Sequence, residues 1–74
     1  MKLRNIGSNQ TEVETDKAVI IFSYRTPVAA FLNDGSGYIR TNKKWSVTTS
    51  RHINKWLDGK KAREVDQSVL DSLV

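Results

Sequence analysis

The chain of 74 residues contains no cysteine, one histidine, one proline and four glycines. Without cysteine no disulfide can form, and one histidine does not make a structural zinc site of the usual Cys/His kind. Long apolar runs are missing too. The longest, residues 18–22 and 28–32, have five residues each, whereas a membrane-spanning helix needs about 20. The first ten residues, MKLRNIGSNQ, are basic with no apolar stretch behind them and do not read as a signal peptide. A soluble protein of the cytoplasm without a membrane partner is therefore expected. Its length allows one domain, over 1–74, and excludes a catalytic cleft between domains. A core this small usually leans on a partner or on copies of itself, so a homo-oligomer is expected.

Acidic residues are scarce in one region. The net charge is +4, but residues 1–39 are neutral, with four charges of each sign. Residues 40–63 hold Arg40, Lys43, Lys44, Arg51, Lys55, Lys60, Lys61 and Arg63 against Asp58 alone, a net +7. Glu64, Asp66 and Asp71 make residues 64–74 net −3. A charge run is commonly no more than a solvated surface. Segregation this strong also fits an anionic partner, nucleic acid above all.

The pattern predicts a small, mainly β chain. Residues 2–6 and 11–15 read as strands around a turn at Gly7-Ser8-Asn9-Gln10. Residues 18–24 are apolar on both faces near their middle, which predicts a central strand carrying Tyr24 on the face of Ile20 and Phe22. Pro27 suits the start of the next strand, 28–32, where Ala29 and Ala30 allow close packing. Asn33-Asp34-Gly35-Ser36-Gly37 is the strongest turn signal and leads to a strand at 38–41. A second tight turn at Asn42-Lys43-Lys44 precedes a strand at 45–48. Hydroxyl residues Thr48, Thr49 and Ser50 then cap a helix at about 50–58, with Ile53, Trp56 and Leu57 as its apolar stripe and Gly59 at its end. After a linker or short strand, Asp66 caps a weaker last helix with Val69, Leu70, Leu73 and Val74 on one side.

Few residues invite catalysis. His52 lies near Ser46, Ser50 and Asp58 in the sequence, but no serine sits in a nucleophile-elbow motif, and His52 reads as a helix-face residue. No catalytic residue, no metal ligand and no cofactor is assigned, so an enzyme is not expected. The Gly35-Ser36-Gly37 run lacks the lysine and helix of a phosphate-binding loop and reads as a hairpin turn. What remains is a set of cations interleaved with aromatics. Tyr38, Arg40, Lys43, Lys44, Arg51, Lys55, Lys60 and Lys61 are the candidate nucleic-acid-binding residues. A positive groove with stacking rings suits single-stranded nucleic acid, RNA or DNA. Trp45 and Trp56 read as core aromatics, while Tyr38 suits either role.

Two blocks carry a resemblance: Ser23-Tyr24-Arg25-Thr26-Pro27-Val28-Ala29, and Thr48-Thr49-Ser50-Arg51-His52-Ile53. They resemble the Ser-Tyr-x-Thr-Pro-Val-Ala and Thr-Thr-Ser-x-His-Ile pattern of small uncharacterised proteins of tailed phages and marine phages. The resemblance spans roughly residues 18–70. It implies a phage protein acting in the cytoplasm of the infected bacterium, and an Sm/LSm-like fold, the bent barrel of ring-forming RNA binders. The chain has neither the N-terminal helix nor the loop signatures of Sm proteins, so no Sm binding residue is carried over. The expected fold is thus α+β, a bent antiparallel sheet or Sm/SH3-like barrel of four or five strands with two helices. The expected function is non-catalytic nucleic-acid binding. The alternative is a phage structural or interaction protein that self-associates or docks on a host or virion protein.

Overall fold

A computed structural model of the chain describes residues 2–7 and 9–74. Strands β1 (Lys2–Gly7), β2 (Gln10–Glu14), β3 (Ala18–Ser23), β4 (Thr26–Leu32) and β5 (Gly37–Thr41) form an antiparallel meander. Helix α1 (Val47–Leu57) crosses over to β6 (Arg63–Val65), which lies parallel to β5, and the short helix α2 (Gln67–Asp71) follows. The chain is mainly β, as expected, but the barrel is corrected. The sheet has six strands in chain order, and its outer strands β1 and β6 do not pair with each other. The crossover places β6 beyond β5, on the side away from β1, so the last strand extends the sheet instead of closing it. No helix among the described residues is long and apolar enough to cross a membrane.

The central strand carries both halves of the core. Ile20 and Ile21 are fully buried on opposite faces of β3, and Ala29 and Ala30 do the same on β4. On one face Ile21, Val28 and Ala29 pack against Ile53 and Leu57 of α1. On the other, Ala18, Ile20, Ala30 and Ile39 pack against Leu70 of α2. The alanines leave room for a helix on each side. Of the apolar side predicted for α2, Leu70 is buried and Leu73 half-buried, whereas Val69 and Val74 are exposed, because a helix of five residues presents one row only. Asp66 caps α2 as predicted, its carboxylate accepting the Ser68 N–H at 3.1 Å.

Two further expectations are corrected. Residues 45–48 are not a strand, because Ser46 is an N-cap. Its backbone is extended, its Oγ accepts the Thr49 N–H at 3.1 Å, and the helix starts at Val47, earlier than predicted. Capping a first-turn donor and burying Thr49, His52, Ile53 and Leu57 outweigh the β-favouring character of Trp45 and Val47. Tyr24 is not a strand residue either. Ser23 pairs with Thr26, so Tyr24 and Arg25 form a two-residue hairpin turn. Tyr24 takes φ 59°, the left-handed region where glycine is usual and a bulky side chain is strained. The predicted turn at residues 33–37 is present, with Asp34 Oδ1 accepting the Ser36 N–H at 2.8 Å. Of the predicted Gly7–Gln10 turn, Ser8 lies outside the described residues.

Candidate nucleic-acid interface

Register places charges on the α1 face of the sheet. Arg4, Glu12, Ile21, Ala29, Arg40 and Glu64 form one row across all six strands. Arg4 and Glu12 make the one ion pair among the described residues, at 4.0 Å. Arg40 instead donates from Nη1 to Asn54 Oδ1 of α1 at 3.3 Å. Lys43, Lys44, Arg51, Lys55, Lys60 and Lys61 are exposed and have no carboxylate partner among the described residues.

The eight candidate residues divide into three groups. Arg40, Lys43 and Lys44 line an open groove of about 560 Å³ between the end of β5 and the first turns of α1, with Trp45, Ser50 and Glu64 on its walls. Arg51 and Lys55 stand on the exposed side of α1, away from Ile53, and do not line that groove. Lys60 and Lys61 follow α1, and the Lys60 ammonium sits 5.9 Å from the centre of the Tyr38 ring.

Of the aromatics, Tyr38 and Trp56 pack against the core, and Trp45 departs from its expected core role. Tyr38 is half-buried between Phe31, at 4.8 Å between ring centres, and Trp56, at 5.7 Å. It packs α1 to the sheet. Trp45, read from sequence as core, is 41% exposed. It lies in the loop before α1, where no layer covers it. Its indole N–H donates to Gln67 Oε1 at 3.3 Å, and the Lys43 ammonium lies 4.1 Å from its ring centre. Gln67 is itself fixed by donating to the Pro27 carbonyl at 2.8 Å and to Asp71 at 3.0 Å.

Under α1 lies a buried polar chain that sequence reasoning missed. Ser46 Oγ donates to Thr49 Oγ1 at 3.2 Å, Thr49 Oγ1 is 3.0 Å from Ser23 Oγ, and Ser23 Oγ is 2.8 Å from His52 Nδ1. One direction gives every hydroxyl proton an acceptor within the chain: Ser46 to Thr49 to Ser23 to Nδ1, with the imidazole proton on Nε2. Such chains polarise one another, and an unpaired member is costly. Ser23 and His52 are 29 positions apart, so proximity in sequence did not point to the hydroxyl that meets the imidazole. Ser23 lies in one of the two blocks that carry the resemblance, and Thr49 and His52 lie in the other. His52 has a hydroxyl partner and no carboxylate beside it, and among the described residues no three metal-ligating side chains converge.

A family model matches residues 1–72. The chain belongs to DUF8033, a family of unknown function. No curated protein and no solved structure matches it.

Proposed function

We propose that the protein binds single-stranded nucleic acid, RNA or DNA, without catalysis, as a small phage protein in the cytoplasm of the infected bacterium. The observation that carries the reading is the groove holding Arg40, Lys43 and Lys44 together without a salt-bridge partner for any of them among the described residues. Unpaired cations on the wall of a groove attract an anionic backbone, and neutralising phosphates releases counterions. Arg51, Lys55, Lys60 and Lys61 extend the positive field around α1, and the acidic residues 64–74 bound it. The phage setting rests on the two sequence blocks described above.

The test is a titration of fluorescent single-stranded RNA and DNA at two salt concentrations. Single strands lose about 0.7 in log K per decade of salt for each phosphate neutralised, so three groove cations give a slope of about −2. No binding at low salt, or binding indifferent to salt, contradicts the proposal.

A second reading has its own observation. Among the described residues β1 is paired on one side only, and Leu3 is 70% exposed beside a shallow apolar groove of about 310 Å³ that includes Val13 and Phe22. A free edge accepts a strand from another protein. In an antiparallel self-pairing centred on Leu3, Lys2 of each copy would face Arg4 of the other, which favours docking on a different, acidic strand over a homo-oligomer. Light scattering after size exclusion separates the cases: a strict monomer at high concentration rules out self-association.

A further inference from the structure

Next to the cationic groove lies a second, smaller pocket of about 250 Å³, and the two share Trp45, Ser46 and Thr49 as a common wall. Tyr24 and Trp45, 53% and 41% exposed, are the aromatic residues that line it, and Thr26, Val28 and Ser46 lie on its wall. This is less than the roughly 300–1,000 Å³ of pockets that take drug-sized ligands, and it suits a single ring system. Both rings are held for display. Trp45 is tethered at its indole N–H by Gln67, and Tyr24 is kept in a left-handed conformation at the tip of the β3–β4 turn. A bulky residue held at positive φ marks a place where strain is retained for a reason other than stability.

We infer that this pocket receives one unstacked nucleobase of the bound strand, while the adjoining phosphates lie on Arg40, Lys43 and Lys44. The inference rests on the nucleic-acid reading above and adds the recognition of a base to it. Ser23 and Thr49 are buried, and their hydroxyls are satisfied within the chain that ends on His52, so the wall the pocket presents is mainly apolar. A mainly apolar wall with two rings takes a base by its face, which every base has, so the pocket tells a base from no base.

The experiment compares short oligocytidine strands, ribo and deoxy, with oligothymidine and with an abasic strand of equal phosphate number. The wild-type protein should bind the cytidine and thymidine strands more tightly than the abasic strand. Tyr24→Ala should weaken cytidine-strand binding by about 5- to 150-fold, the range for losing one base–aromatic stack, and leave abasic-strand affinity unchanged, whereas Trp45→Ala, whose ring also borders the cationic groove, should weaken the cytidine strand more than the abasic one. Tyr24→Phe and Trp45→Phe, which keep a ring, should restore the affinity. In a Trp56→Phe background, where Trp45 is the remaining tryptophan, the cytidine strand should quench its fluorescence and the abasic strand should not. This second readout does not depend on the alanine variants folding. Equal affinity of all strands, with no effect of the ring deletions, overturns the base pocket while leaving the phosphate groove standing. Binding of no strand overturns both.

Discussion

The two faces of the sheet are closed by different means. On the α2 face five residues of helix suffice, because Leu70 is fully buried among Ala18, Ile20, Ala30 and Ile39. On the α1 face a helix of eleven residues adds a buried chain of hydroxyls and an imidazole to its apolar stripe. Apolar burial is non-directional and stabilises whichever packing fills space. A hydrogen-bonded chain has fixed lengths and angles, so it sets where α1 sits. The better-positioned face is also the one that carries the cationic groove and the exposed rings. One face is closed by apolar packing, and the other adds a directional hydrogen-bonded chain beside the groove of the proposed interface.

Removing Leu70 tests the first half of that contrast and has the largest expected effect. Leu70→Ala should cost about 2–5 kcal/mol in urea denaturation, out of a total of about 4–11 kcal/mol for a chain of this size. The strand affinity of the molecules that remain folded should be unchanged. A small loss would mean that α2 is ornamental and that the sheet is held by α1 alone.

Ser23→Ala tests the other half. It leaves the Thr49 hydroxyl proton and His52 Nδ1 without their shared partner, and unsatisfied buried groups cost about 1–3 kcal/mol. Unlike Leu70→Ala, it should also weaken strand binding, since α1 loses the contact that positions Ser46 and Trp45. If Ser23→Ala changes stability alone, the polar chain is packing and nothing more.

Tyr24→Gly separates stability from display. Relief of the left-handed tyrosine should stabilise the fold by about 1 kcal/mol, while removal of the ring lowers affinity for a cytidine strand. Thermal melts and titrations on the same sample check both signs. A destabilised Tyr24→Gly variant would show that the ring, packed 6.2 Å from His52, serves the core more than the pocket.

The smallest effect is expected at acid pH and belongs to the α2 side. Hydrogen bonds from the Ser68 side chain and backbone hold the Asp66 carboxyl below its ordinary range, and Ser36 does the same for Asp34. A depressed folded-state pKa contributes stability that is fully present above the ordinary carboxylate value of about 3.9 and lost as pH falls through the lower folded value. Asparagine is also a good N-cap, so Asp66→Asn should melt like the wild type at neutral pH and show a flatter decline below about pH 4. Identical acid profiles would show that the charge of Asp66 adds nothing to the cap.

The apolar skeleton was legible in the sequence, because strands β3 and β4 write their burial in consecutive apolar residues and the 33–37 turn writes itself in asparagine, aspartate and glycine. The openness of the sheet was not, since nothing local tells that the chain 42–62 crosses over to place β6 parallel to β5. The candidate site was half legible. Charge segregation pointed to Arg40, Lys43 and Lys44, but the same count included Arg51 and Lys55, which the turn of α1 carries away from the groove. Trp45 and Tyr24 were misplaced for one reason. Residue preference favours β structure for both, whereas a cap at Ser46 and a two-residue turn after Ser23 decide their conformations. The Ser23–His52 contact depends wholly on tertiary packing.

The most direct test of the interface compares two charge reversals that are equal in number. Lys43→Glu with Lys44→Glu alters the groove, and Arg51→Glu with Lys55→Glu alters the far side of α1. Binding of a fluorescent single strand is measured for both across a salt series. A groove interface predicts that the first variant loses most low-salt affinity and about 1.4 of the salt slope, two phosphates at about 0.7 each, while the second keeps its slope near that of the wild type. Equal losses in the two variants, or a larger loss in the second, would contradict it.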